Sequence, residues 1–157
     1  MPYIGCMTTE GERVLQTAGS VLVVDWPSRD VPEALARAGY AVVVKAGPEP
    51  DNYQAQELRD GAVVPRPLGR PPDHADIVYS YRGPGELPGI VQLAKDVGAG
   101  TVWCQSGLSS DGTKDPHGVW LPDGESREAR AIVESAGLVY VDDAYIADVA
   151  RQVRGTS

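Results

Sequence analysis

A chain of 157 residues, 42% hydrophobic and 23% charged, carries enough apolar material for one domain with a real core, and a single domain over 1–157 is expected. A formal net charge of -8 argues against wrapping nucleic acid or lying on an anionic membrane, yet leaves room for a phosphorylated small molecule held by a few local arginines. No apolar run approaches the ~20 residues of a membrane span, the N-terminus shows no signal-peptide pattern, and Cys6 and Cys104 form no metal-spaced pair, so a reduced, cytoplasmic setting is expected.

Met1 to Thr9 read as a loose end. Glu10 to Ala18 read as a short helix with Val14, Leu15 and Ala18 inward and Gly19 as its stop. Val21 to Val24 form an apolar strand, followed by the turn Asp25-Trp26-Pro27-Ser28-Arg29. The next helix starts at Asp30, with Pro32 tolerated in its first turn and Glu33 placed to complete a capping box. Its stripe is Val31, Ala34, Leu35 and Ala38, and Gly39 closes it. Ala41 to Val44 are the second strand. This β-α-β unit presents the free N–H groups of a helix start to an anion.

Residues 46–73 read as loop-rich, with Pro48, Pro50, Pro65, Pro67, Pro71 and Pro72 and one short strand at Ala62 to Val64. Ile77 to Tyr81 are the next strand, followed by a helix carrying Leu87, Ile90, Val91 and Ala94. Thr101 to Cys104 are the fourth main strand. Residues 106–124 form a long loop, read as a lid, a ligand rim or an insertion. A helix from about Ser126, a strand over Leu138 to Val141 and a closing helix with Ile146, Val149, Ala150 and Val153 complete the chain. Strands this uniformly apolar are buried on both faces, which predicts a doubly wound, mostly parallel α/β sheet of about five strands with helices on both faces. In such sheets the ligand crevice lies at the carboxyl ends of the strands, near the reversal of strand order.

Four stretches at these positions resemble the small stand-alone CoA-binding proteins, whose Rossmann-like domain is similar to the N-terminal domain of the succinyl-CoA synthetase α subunit. They are Val21 to Arg29; Gly61 to Pro65 with Leu68 and Pro72; Asp76 to Arg82 with Pro84; and Val102 to Gln105 with Gly107, followed by Ala136-Gly137-Leu138. The resemblance runs from about Glu10 to Val153. It implies a nucleotide-binding, non-catalytic protein that takes CoA or acyl-CoA, with a possible regulatory role. The diphosphate would sit near Ser28 to Val31, the adenine near Ala46 to Pro48, and the pantetheine would run past Arg82 and Gln105.

The candidate cofactor-binding residues are Trp26, Ser28, Arg29, Lys45, Gly47, Arg82, Gly83 and Gln105. Arg29 is placed for bidentate phosphate contact or for pairing with Asp25 or Asp30. Ser28 donates to phosphate or shapes the turn. Trp26 stacks on adenine or covers the crevice. Lys45 ends the second strand where a phosphorylated ribose would lie, as in NADP or the 3′-phosphate of CoA. Arg82 and Gly83 end a strand at the crevice, and Gln105 points at its occupant; Trp103 reads as core. The family's first turn is normally small and glycine-containing, and Asp25-Trp26-Pro27 stands there instead. This motivates two alternatives: a degenerate Rossmann module that has lost the cofactor and acts in protein interaction, or a binder of another nucleotide such as NADP. No G-x-G-x-x-G or Walker loop is present. Asp111, Asp115 and His117 suit no common metal spacing, His74 reads as exposed, and no catalytic triad stands out, so no catalytic or metal residue is assigned.

Overall fold

The computed structural model describes residues 10–24, 30–45, 52–80, 87–104, 123–142 and 145–154. The elements are α1 (Glu10–Thr17), β1 (Ser20–Val24), α2 (Asp30–Arg37), β2 (Ala41–Lys45), β3 (Tyr53–Arg59), β4 (Ala62–Pro67), β5 (Ile77–Ser80), α3 (Leu87–Asp96), β6 (Thr101–Cys104), α4 (Asp123–Ser135), β7 (Val139–Val141) and α5 (Ile146–Arg154). One sheet runs in the order β4-β3-β2-β1-β5-β6-β7. The five strands β2, β1, β5, β6 and β7 are parallel.

Alternate residues of the central strands face opposite layers, as the two-residue period of a strand requires. Val21, Val23, Ile77, Tyr79 and Trp103 pack beneath Leu15 of α1, Val31 and Leu35 of α2, and Ile146 and Ala150 of α5. Leu22, Val24, Val78, Val102 and Cys104 pack on the other face against Leu87, Ile90 and Ala94 of α3 and Ala129 and Val133 of α4. The doubly wound class read from the sequence is therefore the class found. Gly39, at φ 96°, lets α2 end in a Schellman turn: Tyr40 N–H donates to Leu35 O and Gly39 N–H to Ala36 O, both at 3.1 Å.

The strand count is corrected from about five to seven. Within the stretch read as loop, β3 pairs antiparallel with β2, and β4 antiparallel with β3. Asp60 (φ 52°) and Gly61 (φ 83°) form the turn between them, the two-residue hairpin that an Asp-Gly pair favours. Pro65 and Pro67 are tolerated because β4 is the outermost strand on its side, where missing N–H groups cost no ladder bonds to a further strand. Glu57 on β3 holds Arg59 at 2.7 Å and Arg66 of β4 at 2.6 Å. The helix expected from about Ser126 starts earlier, at Asp123, so the last residues of the loop predicted over 106–124 are helical.

The amino ends of β1 and β5 are pinned together by Asp76. Its Oδ2 accepts from Gly19 N–H at 2.7 Å and Ser20 N–H at 3.2 Å, and its Oδ1 lies 2.7 Å from His74 Nε2. His74 is about half exposed, as read from the sequence, but it is engaged rather than free. Partial burial pushes the Asp76 carboxyl up, yet the Gly19 amide, the His74 ring and the Ser20 amide together outweigh it and hold the group below its ordinary value.

A depressed native value stabilises the fold above the unfolded carboxylate range near 4, and that contribution is lost as pH falls through the native value. Asp76→Asn is expected to cost about 1–2 kcal/mol at pH 7 and much less at pH 3, read from urea midpoints at the two pH values. Gly11 lies in α1 against buried Trp103, and a Cβ there would stand 2.6 Å from the ring's Cη2. Gly11→Ala is therefore expected to destabilise by about 1–3 kcal/mol in chemical denaturation, although Ala is the better helix former.

Candidate functional site

β1 leads through α2 to β2 on one side of it, whereas β5 leads through α3 to β6 on the other side. The reversal falls between β1 and β5, and α2 and α3 lie on opposite faces. A crevice at the carboxyl ends of this pair follows from the connectivity. Val24 and Ser80 are the last residues of the two strands and are paired in register. Ser80 is fully buried.

Of the candidate binding residues, Lys45 is described. It closes β2, half-buried, in register with Val24 on one side and Tyr53 of β3 on the other. It therefore stands at the carboxyl edge one strand from the reversal, the position expected for it. Trp26, Ser28, Arg29, Gly47, Arg82, Gly83 and Gln105 lie outside the described residues, as do Asp111, Asp115 and His117. What is described is the set of strand ends from which their segments depart: Val24, Lys45, Ser80 and Cys104 end parallel neighbours on one edge of the sheet.

Two features of this edge escaped the sequence reading. Tyr145, just before α5, donates its hydroxyl to the Asp30 carboxylate in the first turn of α2. Burial and the Asp30 carboxylate hold the phenol's ionisation well above its ordinary range, so it stays a donor. The partners are 115 residues apart, and no local pattern could have paired them. From the sequence Asp30 reads as the start of its own helix and as one pairing partner for Arg29. The second feature is a polar cluster at the ends of β6 and β7. Cys104 and Tyr140 are buried there beside Asp142, with the Arg130 guanidinium 5.2 Å over the Tyr140 ring and 3.0 Å from Glu134. Burial first, then the Asp142 carboxylate, pushes the Cys104 thiol up to about 12. Burial, the Cys104 thiol and the Asp142 carboxylate likewise hold Tyr140 protonated.

A cleft of about 340 Å³ opens at the opposite edge, between α1 and the amino ends of β5, β6 and β7, lined by Arg13, Thr17, Asp76, Thr101 and Val139 among others. It lies away from the reversal point, and its Asp76 is occupied in joining strands. Among the described residues, no group of three or more His, Cys, Asp or Glu side chains could hold a metal ion, and no helix is long and apolar enough to cross a membrane.

A doubly wound parallel sheet with its switch point between the first and third parallel strands defines a Rossmann-like α/β protein. Comparison with known families makes this specific: the CoA binding domain family matches residues 17–148, and the chain belongs to that family. Solved structures share the fold at low identity. Prb, a protein redesigned for binding, is 20% identical, with 99% of this chain and 98% of that one covered and a TM-score of 0.58. A hypothetical protein from Pyrococcus horikoshii OT3 is 21% identical, with 98% and 96% covered and a TM-score of 0.58. A protein from Thermus thermophilus is 22% identical, with 90% and 94% covered and a TM-score of 0.54. No curated protein matches the chain.

The Cys104 environment has a direct chemical consequence. A buried thiol with its ionisation at about 12 is almost wholly protonated at pH 8 and is a poor nucleophile. In a Cys6→Ser variant, iodoacetamide is expected to leave Cys104 unmodified over an hour at pH 8 and to label it fully in guanidinium, as read by intact-mass spectrometry.

Proposed function

We propose that this protein binds coenzyme A or a short acyl-CoA and catalyses no reaction with it, acting as a coenzyme-responsive binding protein. The observation that carries this reading is the family match over residues 17–148, nearly the whole described fold. The connectivity supports it, because the reversal between β1 and β5 puts a crevice beside the amino end of α2. In this reading the coenzyme diphosphate sits against the first turn of α2 with Ser28 and Arg29, and Trp26 flanks it. Lys45 and Gly47 face the adenosine side, Lys45 toward the 3′-phosphate. Arg82, Gly83 and Gln105 follow the pantetheine arm along the ends of β5 and β6. The setting is cytoplasmic, and no nucleic-acid or membrane partner is required. The protonated Cys104 thiol supports a binding role over a nucleophilic one.

A second reading has its own observation. Asp30, held by Tyr145, places a carboxylate in the turn of α2 where an anion would dock, and Asp25-Trp26-Pro27 replaces the small turn usual in the family. A chain that had lost the coenzyme and kept the fold for protein interaction would look like this.

Titration calorimetry with CoA and with NADP separates the readings. CoA is expected to bind with a dissociation constant in the micromolar range, and NADP much more weakly. Arg29→Ala is expected to weaken CoA about tenfold, the loss of one charge-assisted phosphate contact. Absence of heat with CoA at high micromolar concentration would reject the coenzyme reading in favour of the second.

A further inference from the structure

Two helix starts meet at the carboxyl edge. α2 begins at Asp30 and α5 at Ile146, and the two helices pack side by side in one layer, with Val31 and Leu35 in the same core cluster as Ile146 and Ala150. Tyr145 joins these starts. Its main-chain oxygen accepts from Asp148 N–H at 3.1 Å and from Val149 N–H at 3.3 Å, which fixes it to the first turn of α5. Its side chain is buried, and a packed phenol with only two rotatable bonds holds its hydroxyl in one place. That hydroxyl donates to Asp30 Oδ2.

The donor is neutral. Burial and the Asp30 carboxylate keep the phenol protonated, and Arg151 of α5 is held by Asp148 at 2.9 Å. A neutral hydroxyl does not cancel a carboxylate's charge as a guanidinium would; it fixes where the charge sits. Position matters at this point, because opposition between like charges grows as their separation shrinks and the first turn of α2 is where an anion would dock. Pro32 has no N–H, so that turn offers the amides of Asp30, Val31 and Glu33. A carboxylate turned along the helix axis would take up one of these amides or draw Arg29 into an ion pair, and either removes a phosphate contact. Tyr145 belongs to the neighbouring helix, so the oxygen it holds lies to the side of the start, toward α5.

We propose that Tyr145 is a positioning residue of the coenzyme site: its hydroxyl holds the Asp30 carboxylate on the α5 side of the helix start, which leaves the first amides of α2 and Arg29 to the diphosphate. The proposal rests on the coenzyme reading above and adds to it the device by which an acidic helix start admits an anion. Tyr145 touches no ligand; it acts through Asp30. The hydroxyl donates, the carboxylate accepts, and no covalent bond is made or broken. The partners come from opposite ends of the chain, so the contact forms only when α5 has docked beside α2.

Titration calorimetry with CoA on the full chain, Tyr145→Phe, Asp30→Asn and the double variant tests this. Tyr145→Phe is expected to bind CoA about tenfold more weakly than the wild type. Asp30→Asn removes the charge and keeps an acceptor for the phenol, and it is expected to bind about threefold more tightly. The double variant is expected to regain at least wild-type affinity, a rescue that a purely structural role for Tyr145 does not produce. Unchanged affinity in Tyr145→Phe overturns the inference and leaves coenzyme binding standing. A loss that Asp30→Asn does not restore shows that the ring serves packing alone and also overturns it. Absence of CoA binding by the wild type removes both readings. Should Tyr145→Phe fail to fold, Asp30→Asn alone decides: tighter binding upholds the inference, and equal or weaker binding overturns it.

Discussion

The pairing of β1 with β5 is the constraint on which the rest depends. Both strands are sealed on both faces, so their position is set by apolar packing above and below, and their backbones must find partners in each other. At one end Asp76 ties the two starts with backbone and side-chain bonds at once: its N–H donates to Ser20 O and Oγ while its carboxylate accepts from Gly19 and Ser20. At the other end the strands finish in register at Val24 and Ser80, and the helices that follow them, α2 and α3, lie on opposite faces. Tight closure at the amino edge and divergence at the carboxyl edge are two consequences of one connectivity.

Much of this architecture could be read from the residues. The runs Val21 to Val24, Ile77 to Ser80 and Thr101 to Cys104 are apolar at every or nearly every position, which only a strand covered on both sides requires. The helices announced themselves by a stripe of three- and four-residue spacing and by a glycine at the end. The β3–β4 hairpin was harder. Tyr53–Arg59 alternates weakly, only Tyr53 and Gln56 of it are buried, and the prolines of β4 argue locally against a strand. Asp60-Gly61 was the available signal, and the density of prolines around it hid it. Edge strands are shaped by what they must avoid as much as by what they bury, so their sequences are less regular.

The site was legible in outline and not in its parts. Strand ends follow from apolar runs, so the position of Lys45 at the carboxyl edge could be foreseen. Tyr145 with Asp30, and Tyr140 with Cys104 and Asp142, join residues from distant elements whose meeting depends on crossovers and register. A tyrosine in an apolar run reads as core, and both of these are core; what a sequence does not carry is where the hydroxyl ends up. The net charge of -8 says little about local fields. Asp30, Asp142, Lys45 and Arg130 all gather near one edge, and their separate placement decides what an anion would meet there.

The hairpin has a consequence beyond the sheet it extends. Its tip at Asp60-Gly61 lies past the outer strands, and nothing lies within 4 Å of the space a side chain at Gly61 would fill. Pro65 and Pro67 leave the outermost backbone short of donors, so a neighbouring molecule finds a poor template for fibrous growth along that border. The same corner is thus both a brake on self-association and a place where an inserted loop would meet open space, although Gly61 itself, at φ 83°, resists replacement by a residue with a side chain.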